Sequence, residues 1–348
     1  TIGSGGGYQW ADYNYDKNFG GKIYTDLASN NVTWEIATKH DIGVDLSLFN
    51  DKFTATIDYF HEQRDGIYMT RDHLSSMIGL NGKRPKANVG SVLSEGFDGN
   101  FAYKQKVGDV NLTIRGNMTY SKNEILERDE AYNVYEYQMD EGHRVDQAKG
   151  LIALGLFKDY DDIRNSPRQD FGSVQPGDIK YKDVNGDNII DANDKVAIGH
   201  STTAPEIYYS FNLGAEWKGL GFDAMFQGTG RYSAVLNTKS LYWPLINNTT
   251  ISQEYYDNRW TPENQDAKYP RLSSQSNENN CQTNTLWLAD RSFLKLRSIE
   301  LYYKFPQIWV KKSKILSNAK IYVRGVDLLC FDKINIADPE VYGATYPL

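Results

Sequence analysis

The stretch DVNGDNIIDAND, residues 183 to 194, sets oxygen-bearing side chains at alternating positions with turn-forming residues between them. Counted from Asp183, oxygens would come from the side chains of Asp183, Asn185 and Asp187, the backbone carbonyl of Ile189, Asp191 directly or through water, and Asp194. Hard oxygen donors at this spacing suit Ca²⁺. Two positions depart from the usual calcium loop: Asn188 stands where glycine makes the sharp turn, and Asp194 is shorter than the usual bidentate glutamate. Asparagine tolerates the left-handed backbone, so the first departure is mild. The same Asp and Asn side chains would serve equally well as acceptors for backbone amides in a polar turn. A structural calcium and a self-bonded turn therefore both stand at this point.

A second chemistry is offered by rings. Tyr242, Trp243 and Trp260, with Trp10, Tyr132, Tyr135, Tyr137, Tyr255 and Tyr256, fall in regions without strand pattern. Flat rings beside amides and carboxylates can stack on sugars; equally, they can pack loop against loop or grip a protein partner. As a set, some are expected to face a substrate, with Tyr242, Trp243 and Trp260 the candidates. Catalytic patterns are absent. His40, His61, His73, His143 and His200 have no metal-type spacing, and neither a GxSxG nor a P-loop occurs. GSGGGY, starting at Gly3, lacks the lysine and the strand-to-helix context of a phosphate cradle and is expected to be a flexible loop. The protein is therefore expected not to be an enzyme.

The net charge of −7, without a basic stripe, argues against a nucleic-acid partner. Cys281 and Cys330 lie far apart and read as two unpaired thiols. No apolar run reaches the ~20 residues of a membrane helix, but membrane strands alternate and would escape that test. The 25 tyrosines among 348 residues suit packed strands or rings crowding two membrane interfaces. Neither a starting Met nor a signal peptide opens the chain, so it is expected to begin inside a mature protein.

Strict alternation locates the elements that would carry these loops. Ile42, Val44, Leu46 and Leu48 share one face, and after NDK so do Phe53, Ala55, Ile57 and Tyr59. A second hairpin runs through Phe97, Phe101 and Tyr103, turns at KVGD, and returns through Val110, Leu112, Ile114, Met118 and Tyr120. A third pairs Tyr209, Phe211, Leu213, Ala215 and Trp217 with Phe222, Ala224 and Phe226 across KGLG. The fourth joins SFLKLRSIELYYKF to KIYVRGVDLL. Eight strands result, whose opposite face carries Asp45, Asp58, Asn111, Arg115, Asn117, Asn212, Glu216 and Asp223. Between hairpins, the connections run from about residue 66 to 92, 121 to 204 and 231 to 288. Structureless loops of that length are uncommon in a compact soluble domain, whereas short turns at one end and long loops at the other are the rule in outer-membrane barrels.

The stretch NNVTWEIATKHDIGVDLSLFNDKFTATIDYFHEQRDGIY resembles the barrel of SusC/RagA-type TonB-dependent transporters. So do ANVGSVLSEGFDGNFAYKQKVGDVNLTIRGNMTYSKNEI, the run from PGDIKYKDVNGDNIIDANDKV to GFDAMFQGTG, RWTPENQDAKYPRL, DRSFLKLRSIELYYKFP and DPEVYG. The motifs follow the family's order from about Val32 to Tyr342. This resemblance implies an all-β fold, a transmembrane antiparallel β-barrel of about 22 strands, of which residues 1–348 would be the C-terminal portion. An N-terminal plug and the final strand, into which ATYPL should lead, would lie outside this chain. It further implies location in the cell outer membrane, in contact with lipid, and active import of a nutrient, either oligosaccharide or oligopeptide. A SusD-like surface lipoprotein would close over the top, and TonB-ExbB-ExbD would act through the missing N-terminal part. The competing reading is a soluble secreted β-sandwich that binds glycans and is stabilised by calcium. It accounts for the loop at Asp183 and the rings, but not for short turns alternating with long connections.

Overall fold

The computed structural model describes residues 2–9, 18–24, 27–29, 31–74, 84–312, 316–334 and 336–341. Trp10 and the ATYPL segment lie outside the described residues. Strands β1 (Ile2–Gln9) and β2 (Asn18–Tyr24) pair antiparallel, so GSGGGY is part of a strand rather than the flexible loop expected from its composition. Ladder hydrogen bonds to a partner strand outweigh the weak strand propensity of glycine there.

All eight strands read from alternation form, as β3 (Ile36–Leu48), β4 (Phe53–Thr70), β5 (Lys86–Val107), β6 (Val110–Glu127), β7 (Ile207–Trp217), β8 (Leu220–Gly230), β9 (Phe293–Lys304) and β10 (Lys320–Asp332). They make one sheet in the order β10-β9-β8-β7-β6-β5-β4-β3, a meander in which each strand lies beside its sequence neighbour. Lengths run from 11 to 22 residues, enough to cross a hydrocarbon core at the usual tilt. Several strands run past their expected ends, so the first long connection is 71–85 rather than 66–92. The β7–β8 turn is two residues, Lys218 and Gly219, both at positive φ (48° and 93°), the turn whose twist matches a strand pair.

The register separates chemistry by face. One row across five strands is Val110, Trp217, Leu220, Tyr303 and Ile321, and the apolar row two residues along is Leu112, Ala215, Phe222, Leu301 and Val323. The intervening row is Asn111, Glu216, Gly221, Tyr302 and Tyr322, and the charged row just beyond Leu112 is Thr113, Gly214, Asp223, Glu300 and Arg324. On the apolar face Leu301 is 54% and Val323 76% exposed, so no second layer takes these side chains out of solvent. A soluble sandwich buries that face; a membrane barrel presents it to lipid. Where rings crowd this face, glycine makes room: a Cβ on Gly116 would sit 2.5 Å from the Phe101 ring.

The chain divides into two compact units. One comprises Thr1–His40, His61–Glu95 and Asn123–Val145. Within it Arg64 bridges Glu35 and Glu62, each at 2.8 Å, and Asp129 accepts from Arg71 at 2.7 Å and contacts His73. The other comprises Asp41–Phe60, Gly96–Lys122 and Asp146–Leu348. Its long connections are not structureless. Short strands at Ala153–Leu156 and Ile179–Tyr181 pair, as do Ser233–Val235 and Leu288–Asp290, over a core of Leu151, Ile179, Tyr181, Ile190, Tyr255, Tyr269 and Trp287. Among the described residues no helix is long and apolar enough to cross a membrane.

Candidate functional site

The polar face of β7–β10 carries a set of cross-strand ion pairs. Glu216 on β7 accepts from Lys304 Nζ at 2.6 Å and from the Tyr302 hydroxyl at 2.9 Å, both on β9. Glu300, almost buried, accepts from Arg324 Nε at 2.9 Å and is also paired with Lys320. Asn212 Nδ2 donates to Asp223 at 2.6 Å. Alternation in β7 and β8 points to Asn212, Glu216 and Asp223; Glu300, Lys304 and Arg324 are their partners, and the same alternation in the fourth hairpin could have found them.

Arg297 bulges out of the β9 ladder with β8, and opposite it the β9–β10 ladder also shifts, with the extra residue on β10 at Asp327–Leu328. The register shift explains why simple alternation misses the next cluster. Lys295, only 6% exposed, reaches Asp338 and Glu340, each at 2.7 Å, while Arg297 binds Asp327 at 2.9 Å, Gln227 at 2.9 Å and Glu340. The segment Asp338–Val341 is thereby clamped to β9. Burial works to raise the carboxyls of Asp338 and Glu340, but Lys295 and Arg297 outweigh it and hold both below the usual carboxylate range. Beside this clamp, a cavity of about 390 Å³ is lined by Leu236, Thr238, buried Arg291, Ile334 and Val341. Arg291 donates through one N–H to the Tyr232 hydroxyl at 2.7 Å and lies over the Tyr232 ring at 4.6 Å.

Above the strands, the loop layer is held by buried amides as well as rings. Gln169 Nε2 donates to Asn279 Oδ1 at 2.6 Å, the Tyr181 hydroxyl donates to the Asn279 carbonyl at 2.6 Å, and Asn284 Nδ2 donates to that hydroxyl at 2.9 Å. Burial pushes Tyr181 well above the ordinary tyrosine range. Trp287, 1% exposed, donates Nε1 to the Asn280 carbonyl at 2.8 Å. Such a network is fully paired and joins the 151–181 and 279–287 segments.

The rings singled out from sequence divide between packing and exposure. Tyr242 is half-buried, edge-on to Trp287 with centroids 5.7 Å apart, and lies 6.1 Å from Trp243. Burial pushes its hydroxyl above the usual range. Tyr255 stacks on Tyr269 at 4.8 Å. Trp260 lies against Gly177, where a Cβ would come within 2.5 Å of its ring. Tyr135 and Tyr137 stack on each other at 5.4 Å. Tyr132, 90% exposed, and Tyr256, 47% exposed, keep free faces or edges. The structure thus uses Tyr242, Tyr255 and Trp260 to join loop to loop.

In the 183–194 loop each of the five candidate ligand side chains, Asp183, Asn185, Asp187, Asp191 and Asp194, accepts a backbone N–H. Asp183 takes Gly186 at 2.6 Å and Asn188 at 2.8 Å, Asn185 takes Asp187 at 3.0 Å, Asp187 takes Ile189 at 2.8 Å, and Asp191 takes Asn193 at 2.7 Å. Asn188 has φ of 65°, the left-handed conformation its position requires. Asp194 is fully buried and accepts from Val184 at 2.7 Å and Asp191 at 2.9 Å, closing a capping box around residues 192–194. The donor chemistry suits calcium, but Asp194 is committed to backbone amides. Among the described residues no three His, Cys, Asp or Glu side chains are grouped to hold a metal.

No protein-family model matches the chain. It is 27% identical over 324 residues to TonB-dependent receptor P26 of Formosa agariphila, an alignment covering 89% of this chain and 31% of that protein. It is 20% identical over 345 residues to TonB-dependent receptor SusC of Bacteroides thetaiotaomicron, covering 96% of this chain and 32% of SusC. The structure of the RagAB peptide transporter matches the fold with a TM-score of 0.71 at 19% identity, covering 100% of this chain and 36% of the matched chain. The chain thus spans about a third of the length of the relatives it matches. The chain is thus similar in sequence to TonB-dependent receptors, SusC among them, along nearly its whole length, and its eight-stranded antiparallel sheet, apolar on one face and charged on the other, shares its fold with the RagAB transporter.

Proposed function

We propose that the chain forms part of the wall and loop layer of a TonB-dependent outer-membrane importer. The carrying observation is the sheet itself: outward aliphatic and aromatic rows suit lipid, and the opposite face carries the Glu216, Glu300 and Lys295 ion-pair clusters, which suit a wet lumen. Strands β3 and β10 are the two edges of the sheet. Open edges do not survive in hydrocarbon, so further strands would complete the barrel. The cargo on this reading is an oligosaccharide or oligopeptide held above the charged face beneath the loops, under a SusD-like lipoprotein lid. TonB would supply the energy. The role is binding and guidance, without a reaction. A calcium ion at the 183–194 loop, where proposed, would rigidify a turn already ordered by its own side chains.

Uptake tests this directly. Cells carrying the protein should accumulate its cargo only with an intact TonB system, and uptake unaffected by loss of TonB would remove the energy-coupled reading. The soluble-sandwich reading gains no support from a sheet whose apolar face is left uncovered.

A further inference from the structure

We propose that the helical turn after β9, with Phe305, Ile308 and Trp309, is an interfacial anchor that seats the short-turn end of the sheet in the phospholipid headgroups of one membrane leaflet. This rests on the membrane-spanning reading above. Three of the hairpin connections are bare turns of two to four residues, at 49–52, 108–109 and 218–219. The fourth is different: it contains a helix, Gln307–Lys312, begun by Trp309 N–H donating to the Pro306 carbonyl at 2.9 Å. A plain reversal of two antiparallel strands needs no such element.

The helix is amphipathic in an inverted sense. Val310 is buried at 4% exposure, while Ile308 is 73% and Trp309 61% exposed. At about 100° per residue, the latter two stand away from Val310 on the solvent side, where a water-facing helix would carry polar groups. Nor is this patch isolated. Along β9, Leu301 and Tyr303 belong to the outward apolar rows, and Phe305 continues them, with the Tyr303 and Phe305 rings edge-on at 5.3 Å. Phe305 N–H donates to the Ala319 carbonyl at 3.0 Å, so the ladder runs up to the helix. Trp217, 51% exposed, lies in the same terminal row. The lipid-facing surface therefore ends in Trp217, Tyr303, Phe305 and Trp309.

Those residue types select the occupant. Indole and phenol rings settle at the headgroup level, where an apolar body and a polar edge are both satisfied. A protein partner would be expected to bury Ile308 and Trp309 in a complementary pocket rather than extend a lipid-facing row. The occupant is a phospholipid surface.

The test uses the protein at full native length, with Cys281→Ser and Cys330→Ser, reconstituted into phosphatidylcholine and phosphatidylglycerol vesicles. An environment-sensitive fluorophore is placed at Ile308→Cys, which leaves Trp309 in place, and separately at Leu301→Cys. Nitroxide lipids carry the quencher at headgroup or mid-chain depth, and iodide quenches from water. The expected result is a blue-shifted 308 signal that loses most of its intensity to headgroup nitroxide, with the 301 signal lost to the mid-chain label. If 301 responds to mid-chain nitroxide while 308 responds only to iodide, the anchor is overturned and the barrel stands. If neither responds to lipid quenchers, the membrane-spanning reading itself fails and takes the anchor with it.

Discussion

Truncating Trp287 to alanine should open the loop layer while leaving the sheet intact. Trp287 is 1% exposed, packs against Tyr242 and Tyr269, and bonds the Asn280 carbonyl. A buried indole removes ~150–250 Å² from water, worth ~4–6 kcal/mol at about 25 cal/mol per Å². Substitutions of this type cost ~3–5 kcal/mol in measured cores, and the orphaned carbonyl works in the same direction. At about 4 kcal/mol the population of the open layer rises roughly a thousandfold. Limited proteolysis of the detergent-solubilised protein reads that population when reclosing outpaces cleavage. Cuts should accelerate within 151–206 and 231–290, while the unheated protein keeps the gel mobility of a folded barrel. Tyr256→Ala, at a 47% exposed ring, serves as the comparison and should change little. Unchanged cleavage of the Trp287→Ala protein would refute a shared core between the two loop segments, and loss of barrel mobility would refute their independence from the sheet.

Other expectations concern faces, charge and metal. Leu213→Arg, on the apolar face four residues in from the terminal Trp217, should cost ~2–4 kcal/mol near the bilayer centre and reduce assembly, whereas Thr113→Arg on the charged row should assemble normally, as read by heat-modifiable mobility. The clamp of Lys295 and Arg297 on Asp338 and Glu340 should loosen in acid. The folded carboxyls titrate below their unfolded values of about 4, so its stabilisation is complete above that pH and is lost as pH falls through the lowered folded values. Hydrogen exchange at Val341, corrected for intrinsic rate, should rise across that window and stay flat between pH 6 and 8, about two units above it. Calcium at the 183–194 loop should bind with a dissociation constant of ~0.1–1 mM, as in extracellular modules, and slow amide exchange at Gly186 and Asn188. Equal exchange with calcium and with chelator would assign those carboxylates to the backbone alone.

The strands were legible because each has one face committed to an apolar phase, and period-two alternation records that commitment along the chain. Val110 to Tyr120 and Tyr209 to Trp217 align in the structure as their spacing implied. Alternation reports face but not partner: it puts Glu300 and Lys304 on the polar face, but what they bind appears only when β9 is laid beside β7, β8 and β10. The bulge at Arg297 hides Lys295 further, since a single extra residue inverts the pattern. Loop architecture was least legible. Asn279 and Asn284 pair with Tyr181 about a hundred positions away, and Trp287 packs on Tyr242 and Tyr269 from other segments; no local period encodes such contacts. At Asp183 to Asp194 one spacing serves calcium ligation and self-bonding turns alike, because both need carboxylate oxygens near successive amides.

The uncovered apolar face of the sheet is predicted to be a lipid face. Purifying the protein from native membranes in mild detergent, and identifying every chain and small molecule that comes with it, tests this together with the importer role. The expected preparation requires detergent, carries a surface lipoprotein, and contains oligosaccharide or peptide. A protein that stays monodisperse in plain buffer, with the Leu301 and Val323 face covered by something other than lipid or detergent, would contradict it.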